Sequence, residues 1–233
     1  YFVARALIEL GRVPLALQYL QQSAVAENAQ NVNTMLMLAQ AHQRMGEFEI
    51  ARRYAEQVYR ILTTEQGVFD LFRQLSQQTG RAAPEHWLVI GCSHVRYFRY
   101  LQINQPKYFE WAVHLDCMEF GGATAFGLGN VASQSGALKA TRAAQPRICA
   151  ADRVLVHFGE IDCRRAAWKS AVVQNRSIEQ SIADAAAHLE TFVAREILPY
   201  NRNVLLLGAK PQIIADDDFY KNSLEDQRIV FKP

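Results

Sequence analysis

The sequence predicts an α/β protein with a three-layer parallel sheet, preceded by an all-α region of helical repeats. Residues 1–80 contain many helix-forming residues and place apolar ones every three to four positions, which is typical of amphipathic helices. Residues 86–233 instead alternate short, continuous apolar runs with helical stretches, which favours a parallel sheet covered on both faces. The segment 81–85, which contains Pro84, is the predicted linker between the two domains.

Composition and charge exclude several classes of protein. Of the 233 residues, 50% are hydrophobic and 21% are charged, which neither collagen nor a disordered chain would show. The formal net charge is +2 and no basic tract stands out, so we expect no nucleic-acid partner. The apolar runs are too short to predict a membrane span.

Four cysteines lie far apart in the sequence: Cys92, Cys117, Cys149 and Cys163. They form no Cys-x-x-Cys pair, so we expect neither a structural zinc site nor a disulfide framework. We interpret them as reduced, small core residues, which predicts a cytoplasmic protein. No motif indicates a cofactor.

A repeat runs through the helical region. Gly11, Gly46 and Gly80 lie 35 and 34 residues apart, and a glycine at such a place is expected to end a helix at a turn. The same offset aligns small and aromatic residues: Ala4 with Ala39, Ala6 with Ala41, Ala16 with Ala51, and Tyr19 with Tyr54. Small residues at matched positions allow two antiparallel helices to pack closely.

This spacing resembles the tetratricopeptide repeat (TPR), most closely over Asn33–Thr63. The motif positions are occupied by Leu38, Ala39, Ala41, Gly46, Phe48 and Ala51. Met35 replaces the family's leading Trp, and Thr63 replaces its closing Pro. Because Tyr1–Asn28 resembles the end of a preceding repeat and Val68–Gly80 a capping helix, we expect further repeats upstream. The resemblance implies a groove for a protein partner, or a spacer; a generic array of helical hairpins is the alternative.

Four apolar runs are the predicted strands: His86–Ile90, Trp111–Met118, Arg153–Phe158 and Asn203–Leu207. The clearest helix is Ile178–Ile197, with an apolar stripe formed by Ile178, Ile182, Ala185, Leu189, Phe192 and Val193. Small and polar residues follow each strand: Gly91–His94, Gly121–Thr124, Gly159–Arg164 and Lys210-Pro211. Because ligands bind beyond the carboxyl ends of the strands in open α/β sheets, these four tips are expected to meet at one crevice.

The first three tips, in this order, resemble the first three motif blocks of the SGNH (GDSL-type) hydrolases, which have a flavodoxin-like fold. The resemblance extends from Trp87 to the end of the chain. It implies that Ser93 is a nucleophile and that Gly122 donates its N–H to an oxyanion. A serine in a strand-to-helix turn presents its hydroxyl to the crevice, and a glycine lets the backbone approach the substrate.

The sequence differs from the family pattern at two places that matter for catalysis. Ile161 stands where the family has an Asn that donates to the oxyanion, so we expect Arg164 to replace that donor or to orient substrate. Glu160 or Asp162 would then hold Arg164 in place. The family's late Asp-x-x-His block, which supplies the base, does not occur in this sequence, so we expect the catalytic His after Pro233 or not at all.

The candidate residues also have structural interpretations. Ser93 can be a helix N-cap, and Glu160, Asp162 and Arg164 can form an ion-pair cluster that fixes a loop. His94 directly follows Ser93, so its ring is expected on a different face, as a substrate contact or as a capping or surface residue.

Other polar residues are assigned to the core or to turns. His114 and His157 lie within predicted strands and are interpreted as buried core residues. Asp216–Asp218 is interpreted as a solvated turn or helix cap. Asp116 and Glu119 provide no recognisable metal-ligand set or glycosidase pair.

Two functions follow. The first is an SGNH-like esterase or acyltransferase acting on an ester, with the O-acyl group of a carbohydrate as the expected substrate, docked to a protein partner through the repeats. The second is a non-catalytic module in which the crevice holds a polar ligand and the repeats scaffold a complex.

Overall fold

The computed structural model describes residues 2–26, 31–99 and 113–208, without the side chains of Ala26, Arg164 and Arg165. The chain divides into two compact units, one of Tyr1–Glu85 with Arg99–Asp116 and one of His86–Phe98 with Cys117–Pro233. This division differs from the predicted domains in one segment, because Arg99–Asp116 groups with the helical unit. Ring packing explains the difference in the described part: His114 stacks on Phe69 with ring centroids 4.1 Å apart.

The described part of the helical unit contains α1 Phe2–Glu9, α2 Val13–Ala26, α3 Val32–Arg44, α4 Phe48–Ile61 and α5 Gln66–Gln78. Successive helices pack against each other along this series. Gly11 and Gly46, at the turns between α1 and α2 and between α3 and α4, have φ angles of 73° and 77°. Only glycine adopts this left-handed region without strain, so the predicted role of these glycines as helix-ending turn residues is confirmed.

The aligned alanines are not equally buried in the two hairpins. Ala39 and Ala51 are completely buried within one cluster, and Ala4 and Ala16 are equally buried in the neighbouring one. Ala6, however, is exposed, whereas its counterpart Ala41 is buried. Ala6 therefore does not contribute to the close packing of helices, unlike its counterpart Ala41.

A four-stranded sheet forms the centre of the α/β unit. Its strands are β1 Glu85–Gly91, β2 Val113–Glu119, β3 Arg153–His157 and β4 Val204–Leu206, in the spatial order β2-β1-β3-β4. β3 pairs in parallel with both β1 and β4. The α/β class is therefore confirmed in these residues. Glu85, predicted as part of the linker, is the first residue of β1.

Along β1 and β3 both faces of the sheet are buried, as continuous apolar strands predict, whereas Leu205 and Leu206 of β4 are exposed. Leu88 and Ile90 of β1 lie on the same face as Val154 and Val156 of β3 and pack into one hydrophobic cluster. Val89, on the opposite face of β1, is also completely buried. Helical segments supply the remainder of that cluster, including Leu138, Ile148, Phe192, Val193 and Ile197.

Four α-helices follow β2 in the described residues: α6 Ala137–Ala143, α7 Gln145–Ala150, α8 Ala167–Val173 and α9 Ile178–Glu196. α9 begins with a capping box in which the side chains of Ser177 and Gln180 each accept from the other residue's backbone N–H. Its predicted apolar stripe is wrong at Ile182, which is exposed, while Ser181 is completely buried. Arg176 donates to the Ser181 hydroxyl at 3.0 Å, which allows this serine to occupy the buried face. No helix within the described ranges is both long and apolar enough to cross a bilayer.

Candidate active site

The carboxyl ends of β1, β2 and β3 are joined directly by backbone hydrogen bonds. β1 is the central strand of the three, and its Gly91 carbonyl accepts from the Phe120 N–H at 2.8 Å. On the other side the Cys92 N–H donates to the His157 carbonyl at 3.1 Å. The first three predicted tips therefore meet at one edge of the sheet. The fourth tip, Lys210-Pro211, lies outside the described residues.

Ser93 occupies the turn that follows β1. It is the first residue of a short 3-10 helix, Ser93–Val95, and the residue at the N-cap position is Cys92. The interpretation of Ser93 as an N-cap is therefore wrong, because the turn begins one residue earlier. The residue is partly exposed at this edge of the sheet.

Gly122 lies in the loop after β2. Its φ angle of 72° belongs to the left-handed region, and it sits in a turn closed by the Ala123 N–H and the Phe120 carbonyl at 3.1 Å. The residue is exposed, and a Cβ built on it would meet no atom within 4 Å. Glycine is therefore required here by the backbone conformation, and the space around its backbone remains open.

Asp162 holds this loop against the third tip. Its Oδ2 accepts from the Ala125 N–H at 2.6 Å, and its Oδ1 faces the Phe126 N–H at 3.4 Å. Burial raises the pKa of the Asp162 carboxyl, and the backbone donors of Ala125 and Phe126 oppose part of that rise. The sequence placed Asp162 among the residues that contact substrate or Arg164; the contacts found here instead connect the second tip to the third.

His94 and Glu160 are brought together at the same edge. The His94 Nδ1 lies 3.3 Å from the Glu160 Oε2, and the side chain of Glu160 is only 3% exposed. The sequence assigned His94 to a different face and considered it apart from Glu160, so this contact was missed. The register of the sheet contains the signal: Gly91 pairs with His157, and His94 and Glu160 each follow their strand residue by three positions.

Cys92 is the buried neighbour of this pair. Its Sγ lies 3.3 Å from the His94 Nδ1, and burial, together with the charges of Glu160 and Asp162, raises the pKa of the thiol. A thiol that is held protonated and completely buried is a poor nucleophile. No disulfide joins the four cysteines, and only Cys92 is a core residue: Cys117 is half-buried, and Cys149 and Cys163 are exposed. The prediction of four core cysteines is therefore wrong for three of them.

The third tip continues as a helix through a π-helical turn, Asp162–Ala166. Ile161, at the position of the family Asn, packs against the hydrophobic cluster of the α/β unit. It therefore contributes no hydrogen-bond donor. The side chain of Arg164 lies outside the described part of the structure, so its predicted role stays a prediction.

The remaining histidines of the strands are core residues. His157 and His114 are 1% and 2% exposed, which confirms their interpretation from the sequence. His157 lies edge-on to the His94 ring, with centroids 6.3 Å apart. In the described residues, no group of three or more His, Cys, Asp or Glu side chains is arranged to hold a metal ion. Asp216–Asp218 lies outside these residues.

Comparison with known proteins identifies no relative: no family model, no curated protein and no solved structure matches this chain. The likeness to SGNH hydrolases and to tetratricopeptide repeats therefore rests on the sequence motifs.

Proposed function

We propose that the α/β unit is an esterase or acyltransferase of SGNH type. In this proposal Ser93 attacks the ester carbonyl, and the backbone N–H groups of Ser93 and Gly122 hold the developing oxyanion. The O-acyl group of a carbohydrate is the proposed substrate. The helical unit would bind a protein partner that brings the enzyme to this substrate.

The observation that carries the proposal is the joining of three polar tips at one edge of the sheet. Ser93 is partly exposed at the first tip, and the open backbone around Gly122 lies at the second. Asp162 fixes the second tip from the third by accepting from the Ala125 N–H. Preorganised backbone donors beside an accessible hydroxyl are what acyl transfer requires.

Ile161 favours the second candidate function, a non-catalytic module that binds a polar ligand. The side chain packs against the hydrophobic cluster, and loss of one oxyanion donor typically costs about 2.7–4 kcal/mol of transition-state stabilisation. Ser93 with two backbone donors would then catalyse slowly, or the edge would serve for binding alone. The two functions therefore differ in whether Ser93 forms a covalent adduct.

A fluorophosphonate probe distinguishes them, because it reacts with an activated serine. We expect the full chain to be labelled and to hydrolyse p-nitrophenyl acetate, and the Ser93→Ala variant to lose both properties. Ser23→Ala, in α2 of the helical unit, is the matched control and should retain both. Equal labelling of the Ser93→Ala variant, or no labelling of the wild-type chain, would overturn the esterase proposal.

A further inference from the structure

The contact between His94 and Glu160 has no role in the chemistry proposed above. Glu160 is only 3% exposed and its Oε2 lies 3.3 Å from the His94 Nδ1. Placing a carboxylate in the interior is costly unless cations or donors face it. A buried carboxylate directed at the ring of a partly exposed histidine is an arrangement that orients the imidazole.

The orientation of the His94 ring determines which of its nitrogens is available to accept a proton. Of the two neutral tautomers, the one with its proton on Nδ1 places an N–H beside the Glu160 carboxylate and keeps the lone pair on Nε2. Nε2 is on the opposite edge of the ring from the Glu160 and Cys92 contacts, and 28% of the side chain is exposed. Hydrolases that pair a histidine with a carboxylate use this same tautomer.

We propose that His94 is the general base of this site and that Glu160 is its positioning residue. The proposal rests on the esterase or acyltransferase function, for which the sequence supplied no base. Ser93 and His94 are successive residues, with Cα atoms about 3.8 Å apart, and both residues are partly exposed. General-base catalysis can act through one bridging water molecule, and this is the path from the Ser93 hydroxyl to the imidazole in the proposal.

The proton transfers balance in both halves of the reaction. As the Ser93 Oγ bonds to the acyl carbon, its proton passes to the bridging water, and a proton of that water passes to Nε2. The leaving alcohol takes a proton back from Nε2 as its bond to the acyl carbon breaks. Water or a sugar hydroxyl then attacks the acyl-Ser93 ester by the same route in reverse, which restores the Ser93 hydroxyl and the neutral imidazole.

In the described residues, two other titratable groups lie beside the His94 ring. The Cys92 Sγ lies 3.3 Å from Nδ1, and the His157 ring lies edge-on at 6.3 Å between centroids. Asp162, on the same tip as Glu160, is engaged by the Ala125 N–H. Burial raises the pKa of the Cys92 thiol, so Cys92 stays protonated and does not compete with His94 for the proton.

The test is the steady-state hydrolysis of p-nitrophenyl acetate by the full chain and its variants. We expect His94→Ala to lower kcat by about 10²–10⁴-fold, the usual contribution of a general base. Added imidazole should restore part of that activity, measured against the Ser93→Ala/His94→Ala double variant at the same imidazole concentration. Glu160→Gln keeps the side-chain volume and should lower kcat by at least about tenfold with KM nearly unchanged, since a positioning residue acts on the transition state.

His188→Ala is the control, because His188 is an exposed histidine on α9 of the same unit. It should keep wild-type kcat, and thermal unfolding should show that all variants are folded. If Ser93→Ala abolishes turnover but His94→Ala stays within about threefold of wild type, the base assignment fails while the esterase function stands. If His94→Ala loses activity that added imidazole does not restore, this result also contradicts the assignment of His94 as the base. If Ser93→Ala is as active as the wild type, the esterase function itself fails.

Discussion

Replacing Gly91 by alanine tests whether the site depends on the close approach of β1 and β3. A Cβ on Gly91 would lie 2.2 Å from the His157 carbonyl oxygen and 2.7 Å from the Val95 Cγ1. Ordinary contact begins at 3.4 Å, so the backbone of one strand must move by about 1.2 Å, the difference between 3.4 and 2.2 Å. The same carbonyl accepts from the Cys92 N–H at 3.1 Å, and a shift of this size would break that bond.

These two effects set the expected loss of stability. Overpacking of a well-packed interior costs about 1–3 kcal/mol, and a lost backbone hydrogen bond adds about 1 kcal/mol. Gly91 has no left-handed φ, so alanine regains about 0.5–1 kcal/mol by restricting the unfolded chain. We therefore expect the free energy of unfolding of the α/β unit to fall by about 1–3.5 kcal/mol.

Urea denaturation measures this loss of stability, and peptide-resolved amide exchange shows whether it occurs in the α/β unit. Two compact units need not unfold together, so exchange should accelerate in β1 and β3 and stay unchanged in α3 and α4. Gly121→Ala is the matched control, since a Cβ there meets nothing within 4 Å and its φ is not positive. The reasoning is refuted if Gly91→Ala is as stable as Gly121→Ala.

Two further substitutions test the polar contacts of the α/β unit. Because burial raises the pKa of Asp162 above 3.8, this carboxyl stabilises the fold most below that value and less as pH rises through its folded pKa. The stability advantage of the wild type over Asp162→Asn should therefore shrink from about pH 4 to about pH 7 in urea titrations, and a growing advantage would contradict it. Asn201→Ala removes an amide that donates to the Ile148 carbonyl at 3.0 Å and the Ala151 carbonyl at 2.7 Å. The loss should be about 2–4 kcal/mol by urea denaturation, and a value below about 0.5 kcal/mol would show that water replaces the amide.

The strands could be predicted because their sequences carry a strong local signal. The run predicted at His86–Ile90 lies within β1 Glu85–Gly91, and the run predicted at Arg153–Phe158 contains β3 Arg153–His157. Short continuous runs of β-branched and aliphatic residues bounded by glycine or proline are typical of buried strands. The α9 helix was predicted from its apolar stripe, and the capping box of Ser177 and Gln180 at its start agrees with the predicted beginning at Ile178.

The contacts at the tips were not predictable by the same means, because they depend on how each turn rotates its side chains. The His94–Glu160 contact was not predicted, because it depends on how the 3-10 turn Ser93–Val95 directs the ring. Ile182 was assigned to the buried face by helical periodicity, which contains no information about the Arg176–Ser181 hydrogen bond. Both the missed contact and the error at Ile182 concern side-chain direction.

The two carboxylates of the third tip have different neighbours. Substitutions at the two residues should therefore have different effects, one on stability and the other on catalysis. Glu160 faces His94 of the first tip, whereas Asp162 accepts from backbone N–H groups of the second. A substitution at Asp162 should therefore loosen the loop that carries Gly122 and lower stability. A substitution at Glu160 should leave that loop in place and change only the orientation of the imidazole. Opposite results, with Glu160→Gln unfolding the unit and Asp162→Asn acting only on kcat, would mean that the assignment of the two residues is reversed.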